Sequence, residues 1–253
     1  MKTIYDRQKI LYDNQVISKS DFDDAAYNYE TAKGTVTQRL SDLPDWRYLL
    51  KECYELYRYL DSGGSTLIRA HQRGVREAIS RTLKNNAKLA LGTPTQKPVT
   101  KHLQRCLNRG KAHRHASVIR AFETIQEHLD WEYGYERMPK GLENKYAYAE
   151  ICGHQGPVIS EEVILGVVLF APGCVYPSHS HDGITESYIC LSGSVSENHQ
   201  GVYAPGSMIF NPPAHTHRIT VSTQEPALLL YAWMGEPGVL NDQKMVFSRK
   251  KKS

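Results

Sequence analysis

From Pro44 onward, apolar residues recur at helical spacing. Trp46, Leu49, Leu50, Cys53, Leu56, Tyr57 and Leu60 fall on one face of a helix that starts at Pro44 and ends at Gly63-Gly64. The pattern predicts a second helix over about residues 67–85. A loop follows over 87–98, where Gly92, Pro94 and Pro98 interrupt the periodicity. Two more helices are expected near 99–109 and 115–129. After Trp131 the pattern changes to short β-branched and aromatic runs separated by Gly and Pro. The clearest are 146–151, 163–170, 201–204, 208–210 and 227–233. The chain therefore reads as a helical region (41–130) followed by an all-β region (131–236). A basic C-terminal tail (237–253) ends in Arg249–Lys252 and is expected to be solvated. Residues 1–40 form a separate helical extension, with a break near Val16–Ser20 and Ser20 in N-cap position before an acidic turn.

The chemistry is concentrated in the β region. The run GCVYPSHSHDGITESYICLSG (173–193) carries His179, His181 and Glu186 at the spacing G-x5-H-x-H-x4-E-x6-G. Residues two apart share a face of a strand. His179 and His181 are such a pair, and so are Glu186 and Tyr188. Asp182-Gly183 between them is a hairpin-turn dipeptide. The spacing predicts one strand that turns and returns antiparallel, aiming two imidazoles, a carboxylate and a phenol into one space. Ser187 and Ile189 would point the other way. A second run, GSMIFNPPAHTH (206–217), adds His215 and His217. Two histidines and a carboxylate, joined by a further histidine, are the donor set of a mononuclear divalent transition metal. Fe, Mn, Co, Ni and Zn all accept it.

These runs resemble the two cupin motifs. Gly173, His179, His181, Glu186 and Gly193 match the first, and Gly206, Pro212 and His217 the second. Ala214 stands where a glycine is usual, and Val221 where an asparagine is common. The resemblance implies a mainly β cupin barrel, a jelly roll with an N-terminal α-helical region, holding its metal inside. It selects His217 over His215 as the fourth ligand. A longer match narrows the family. The segments YGYER-P-GL--KYAYAEI, LGVVLFAPGCVYPSHSH, GITESYICLSGSVSEN, GVYAPGS and NPPAHTHRITV, with the helical stretches PDWRYLLKECYELYRY and RAHQRGVRE, resemble bacterial cupin-type dimethylsulfoniopropionate (DMSP) lyases. The resemblance spans about residues 41–236. It implies cleavage of DMSP to dimethyl sulfide and acrylate, with Tyr188 as the base and Tyr176 as a second pocket tyrosine. Tyr231 and Trp233 are expected to offer ring faces to the substrate's sulfonium. The alternatives are another mononuclear metal cupin enzyme, such as a dioxygenase, and a non-catalytic small-molecule-binding cupin. The extension is similar instead to part of the α-hairpin of periplasmic membrane-fusion (adaptor) proteins. It is read as foreign to the lyase; the other reading is a native arm that makes a homodimer.

Composition adds limits. The 253 residues carry a net charge of +4, with no nucleic-acid-recognition motif to accompany it. No apolar run reaches transmembrane length, and MKTIYDRQK lacks the apolar core of a secretion signal. Cys53, Cys106, Cys152, Cys174 and Cys190 make an odd count without a C-x-x-C. A reduced, cytoplasmic protein is expected, with Cys174 and Cys190 as wall residues of the barrel. No nucleic-acid or membrane partner is expected, and DMSP is the ligand that the resemblance implies.

Overall fold

A computed structural model describes residues 9–14, 17–19, 22, 37–134, 138–241 and 245–247. Four main helices follow the predicted pattern: α1 (Pro44–Tyr59), α2 (Thr66–Lys84), α3 (Leu103–Gly110) and α4 (Ala116–Ile125). Pro44 occupies the first turn of α1, where its missing N–H costs nothing. Ser65 caps α2, its Oγ accepting from the Ile68 N–H at 3.2 Å. The α1 residues Trp46, Leu49, Leu50, Cys53, Leu56 and Tyr57 are all buried, so the apolar stripe is the packing face. Each such large side chain contributes roughly 1.5–3 kcal/mol relative to staying in water. The expected third helix begins as a 3-10 turn (Pro98–His102), and the fourth ends as one (Gln126–His128).

The β region forms two sheets. The larger runs in the order β1 (Thr37–Arg39), β2 (Lys88–Ala90), β4 (Val158–Ile159), β3 (Tyr146–Gly153), β5 (Ile164–Phe170), β11 (Ala227–Met234), β7 (Thr185–Ser192) and β9 (Met208–Asn211). The smaller contains β12 (Met245–Phe247), β6 (Val175–His181), β10 (His217–Val221) and β8 (Val195–Glu197), in that order. Two findings differ from the sequence reading. The stretch expected as a loop contains β2, because Leu89 is fully buried and pairs with Val158. The expected strand at 201–204 contributes only a bridge between Tyr203 and Val195.

Side-chain alternation divides the core. Leu165, Val167 and Leu169 of β5 join Ala147, Ala149, Ile189, Leu228 and Leu230 against the helices. Ile164, Val168 and Phe170 face the other way, with Tyr146, Tyr176, Tyr188, Leu229 and Tyr231. The larger sheet is thus buried on both faces, which is why β5 reads as a continuous apolar run. Gly166 interrupts that run for a steric reason. A Cβ there would collide with the Tyr231 side chain and the Ala149 carbonyl. Gly166→Ala should therefore lower stability by roughly 1–3 kcal/mol and displace the Tyr231 ring, as read by thermal melting. An unchanged melting temperature would show that the two strands yield freely.

The terminal regions differ in what they reveal. The first part of the C-terminal tail is structured: α5 (Pro237–Asn241) is followed by β12, which pairs with His179–His181 of β6, while residues 249–252, expected to be solvated, lie outside the described residues. The 1–40 extension ends earlier than expected, because Thr37–Arg39 pairs with β2 and Leu40 is fully buried; most of residues 1–36 lie outside the described residues. Residues 9–13 are helical, and Tyr12 stacks on Phe22 with ring centroids 4.8 Å apart, across the predicted break. Deleting residues 1–36 should leave the melting temperature and activity nearly unchanged; a large loss of either would make the arm integral to the fold. Among the described residues, no helix is long and apolar enough to cross a membrane.

Candidate metal centre

The Asp182-Gly183 turn does not close a hairpin. Gly183 takes φ 72°, and the turn carries the chain from β6 in the smaller sheet to β7 in the larger. β6 pairs with β10 and β12, while β7 pairs with β11 and β9. The predicted convergence survives because the two strands form facing walls. His179 and His181 project from β6, His217 lies directly opposite His179 on β10, and Glu186 comes from the larger sheet. The turn before β10 places Ala214 at φ 62°, a left-handed conformation that suits glycine better than alanine. Its N–H donates to the His181 carbonyl at 2.9 Å, tying the second motif to the first.

All four side chains are buried, and the donor atoms of His179, His181 and His217 lie within 4.8 Å of one another. His179 Nδ1 is 2.9 Å from the Pro177 carbonyl, and His217 Nδ1 is 3.1 Å from that of His215. Donation from each Nδ1–H to its carbonyl leaves both Nε2 lone pairs free. Both ring nitrogens of His181 and Nε2 of His217 have no hydrogen-bond partner despite burial. Glu186 Oε2 lies 3.0 Å from His217 Nε2, without hydrogen-bond alignment, and Oε1 lies 3.7 Å from His181 Nε2. Buried nitrogens left unpaired around a carboxylate are what a divalent cation would satisfy. The donor set fits such an ion. His215 itself is exposed and offers only its carbonyl.

The charges are strongly coupled. Burial alone would raise the Glu186 pKa, but the adjacent imidazoles, His217 foremost, outweigh it and hold the carboxyl ionised. Burial, reinforced by His217, pushes His179 down to about 4 and leaves it neutral. Burial also lowers His181. For His217, burial lowers the pKa, but the Glu186 carboxylate reverses the direction and raises it.

Neighbouring side chains orient the carboxylate. Trp233 Nε1–H donates to Glu186 Oε1 at 2.7 Å. Asn211 Nδ2–H donates to Glu186 Oε2 at 3.2 Å and to the buried Glu197 at 3.0 Å. The Trp233 ring also sits 4.4 Å from His181. Tyr188 lies beside this group, its ring 6.2 Å from that of His217. Burial and then the Glu186 charge raise its phenol well above 10. Tyr176 packs edge-on against His179 at 4.9 Å, and its hydroxyl donates to Tyr146 at 3.2 Å. Tyr231 pairs with Tyr188 across the strands and lies 5.7 Å from Trp233. Sequence reasoning missed Tyr146 and Asn211. The strand alternation in YAYAE offered a signal for the tyrosine; Asn211 had none before the sheet register was known. Cys174 and Cys190 line the barrel interior, and burial raises both thiols to about 12.

Fold and site together define a cupin barrel with a buried histidine–carboxylate cluster. The sequence profile of the dimethylsulfoniopropionate lyases matches residues 71–229. A Cereibacter sphaeroides protein named as a dimethylsulfoniopropionate lyase, DddL, is 46% identical over 215 residues, 85% of this chain and 93% of that protein. The DMSP lyase DddQ from Ruegeria pomeroyi DSS-3 superposes with a TM-score of 0.62 at 20% identity, over 83% of this chain and 100% of that one. A structure described with the DMSP lyases RdDddP and RnDddQII gives 0.61 at 20% identity, over 81% and 98%. The chain belongs to the DMSP lyase family, and its enzyme class is that of a carbon–sulfur lyase.

Proposed function

We propose that this enzyme cleaves DMSP to dimethyl sulfide and acrylate by base-catalysed β-elimination. The observation that carries the reading is a buried cluster of three histidines with the Glu186 carboxylate beside two of them, and tyrosines on the same interior surface. His179, His181, Glu186 and His217 would hold one divalent transition metal. Such an ion, when bound, supplies Lewis acidity that takes the substrate carboxylate, acidifies its α-C–H and favours a phenolate. Tyr188 Oη takes the α-proton. The α-carbanion pair forms the C=C bond of acrylate as the Cβ–S bond breaks, and that bond's electrons leave on sulfur as neutral dimethyl sulfide. A sulfonium has no N–H to donate, so aromatic faces are its partners. Tyr176, Tyr146 and Tyr231 supply them from the interior wall. Their burial excludes water, which strengthens every charge interaction around the reacting carbon.

Trp233 has two candidate roles, as a ring face for the substrate and as an N–H donor to Glu186. The 2.7 Å bond favours the second. Trp233→Phe should weaken divalent-metal affinity by about 10–100-fold, the usual cost of losing an orienting partner. Competition with a chromogenic chelator measures this, and unchanged affinity would leave only the ring-face role. All five cysteines are unpaired and buried, which suits a reducing compartment such as the cytoplasm. The reaction is tested by incubating purified protein with DMSP and quantifying both products. Dimethyl sulfide and acrylate should appear in equal amounts with no oxygen consumed. Oxygen uptake with other products would favour a dioxygenase.

A further inference from the structure

Behind the strand that carries Glu186 lies a second buried polar group. Tyr57 Oη of α1 is 2.8 Å from Ser187 Oγ, and His71 Nε2 of α2 is 2.9 Å from the same oxygen. His71 Nδ1 is 3.2 Å from Thr185 Oγ1, which donates to the Met234 carbonyl at 3.2 Å. Tyr57, His71 and Ser187 are 1%, 6% and 0% exposed. The His71 ring also packs against Phe210 of β9 at 5.3 Å.

The proton positions follow from the last acceptor. The Thr185 hydroxyl proton goes to the Met234 carbonyl, so Thr185 Oγ1 must accept from His71 Nδ1–H. His71 Nε2 then accepts from Ser187, and Ser187 accepts from Tyr57. Every group in this chain is satisfied in one direction only. Burial keeps the His71 imidazole neutral by pushing its pKa down to about 4, against the pull of Glu186.

Thr185 and Ser187 flank Glu186 on β7 and point to the opposite face. The geometry points to His71, with Tyr57, as a positioning residue that clamps β7 from the helical layer and fixes Glu186 within the metal site. This inference rests on the proposed ligand set. It gives the helical region a task in the reaction, although none of its residues faces the barrel interior cluster.

The test uses the full-length protein and cobalt(II) as probe, with affinity read from its visible spectrum. His71→Leu keeps an apolar side chain of similar size and removes both bonds. It should weaken cobalt binding by about tenfold, with secondary structure intact. His71→Gln, which can still reach both hydroxyls, should recover affinity to within about threefold of wild type. Val75→Ala, a buried control on the same helix, should lower the melting temperature without changing affinity. Wild-type affinity in His71→Leu, or an equal loss in Val75→Ala, would overturn the clamp. Nitrogen NMR gives a reading independent of the metal. It should show a neutral His71 protonated on Nδ1, and the Nε2–H form would contradict the chain of bonds. If wild-type protein binds no cobalt at all while His71 carries the Nδ1 proton, the ligand set has failed and the clamp holds β7 for another purpose.

Discussion

His217→Ala should strip the protein of most of its divalent metal and with it nearly all turnover. His217 is 0% exposed, its Nε2 has no hydrogen-bond partner, and it stands opposite His179 while 3.0 Å from Glu186. Removing the ring takes away one of the proposed donors and leaves Glu186 Oε2 without the imidazole 3.0 Å from it. The loss of affinity should exceed the roughly 10–100-fold that losing an outer partner costs. Elemental analysis of the purified variant measures this, with circular dichroism to verify the fold. Retention of one ion per chain would remove His217 from the ligand set.

Tyr188→Phe separates chemistry from metal binding. The variant keeps the ring and its packing and removes one hydroxyl. Metal content should survive, while turnover at saturating DMSP falls by about 10²-fold or more, the scale for losing a general base. The phenol stands well above 10 from burial and the Glu186 charge, so it depends on a nearby cation to reach its phenolate. Tyr176→Phe should do less, because the Tyr176 hydroxyl is engaged with Tyr146 and its ring packs on His179. Near wild-type turnover in Tyr188→Phe would transfer the base role to Tyr176.

The sequence exposed those parts of the molecule whose partners are local. The face from Trp46 to Tyr57 was legible because its residues recur every turn. The pair His179 and His181 was legible because strand alternation places both on one side. The opposite facing of Ser187 followed from the same rule, and its contacts with Tyr57 and His71 bear that out. What stayed hidden depends on which strands meet. The turn at Gly183 looks like a hairpin locally, yet it joins two sheets, since β11 and β10 claim the pairing edges of β7 and β6. Asn211 reaches Glu186, and links it to Glu197, only after β9 has paired with β7. Residues 245–247 (MVF) are β-prone, but a run of three beside a run of charge is too short to read as a strand, and nothing local points it to the ligand-bearing β6.

The central claim, a metal-dependent elimination in this barrel, is tested most directly by removing and restoring the ion. Protein stripped by a chelator should release almost no dimethyl sulfide from DMSP. Readdition of a divalent transition metal should restore release in proportion to bound ion, saturating at one per chain. Undiminished release from protein shown to contain no metal would contradict the account.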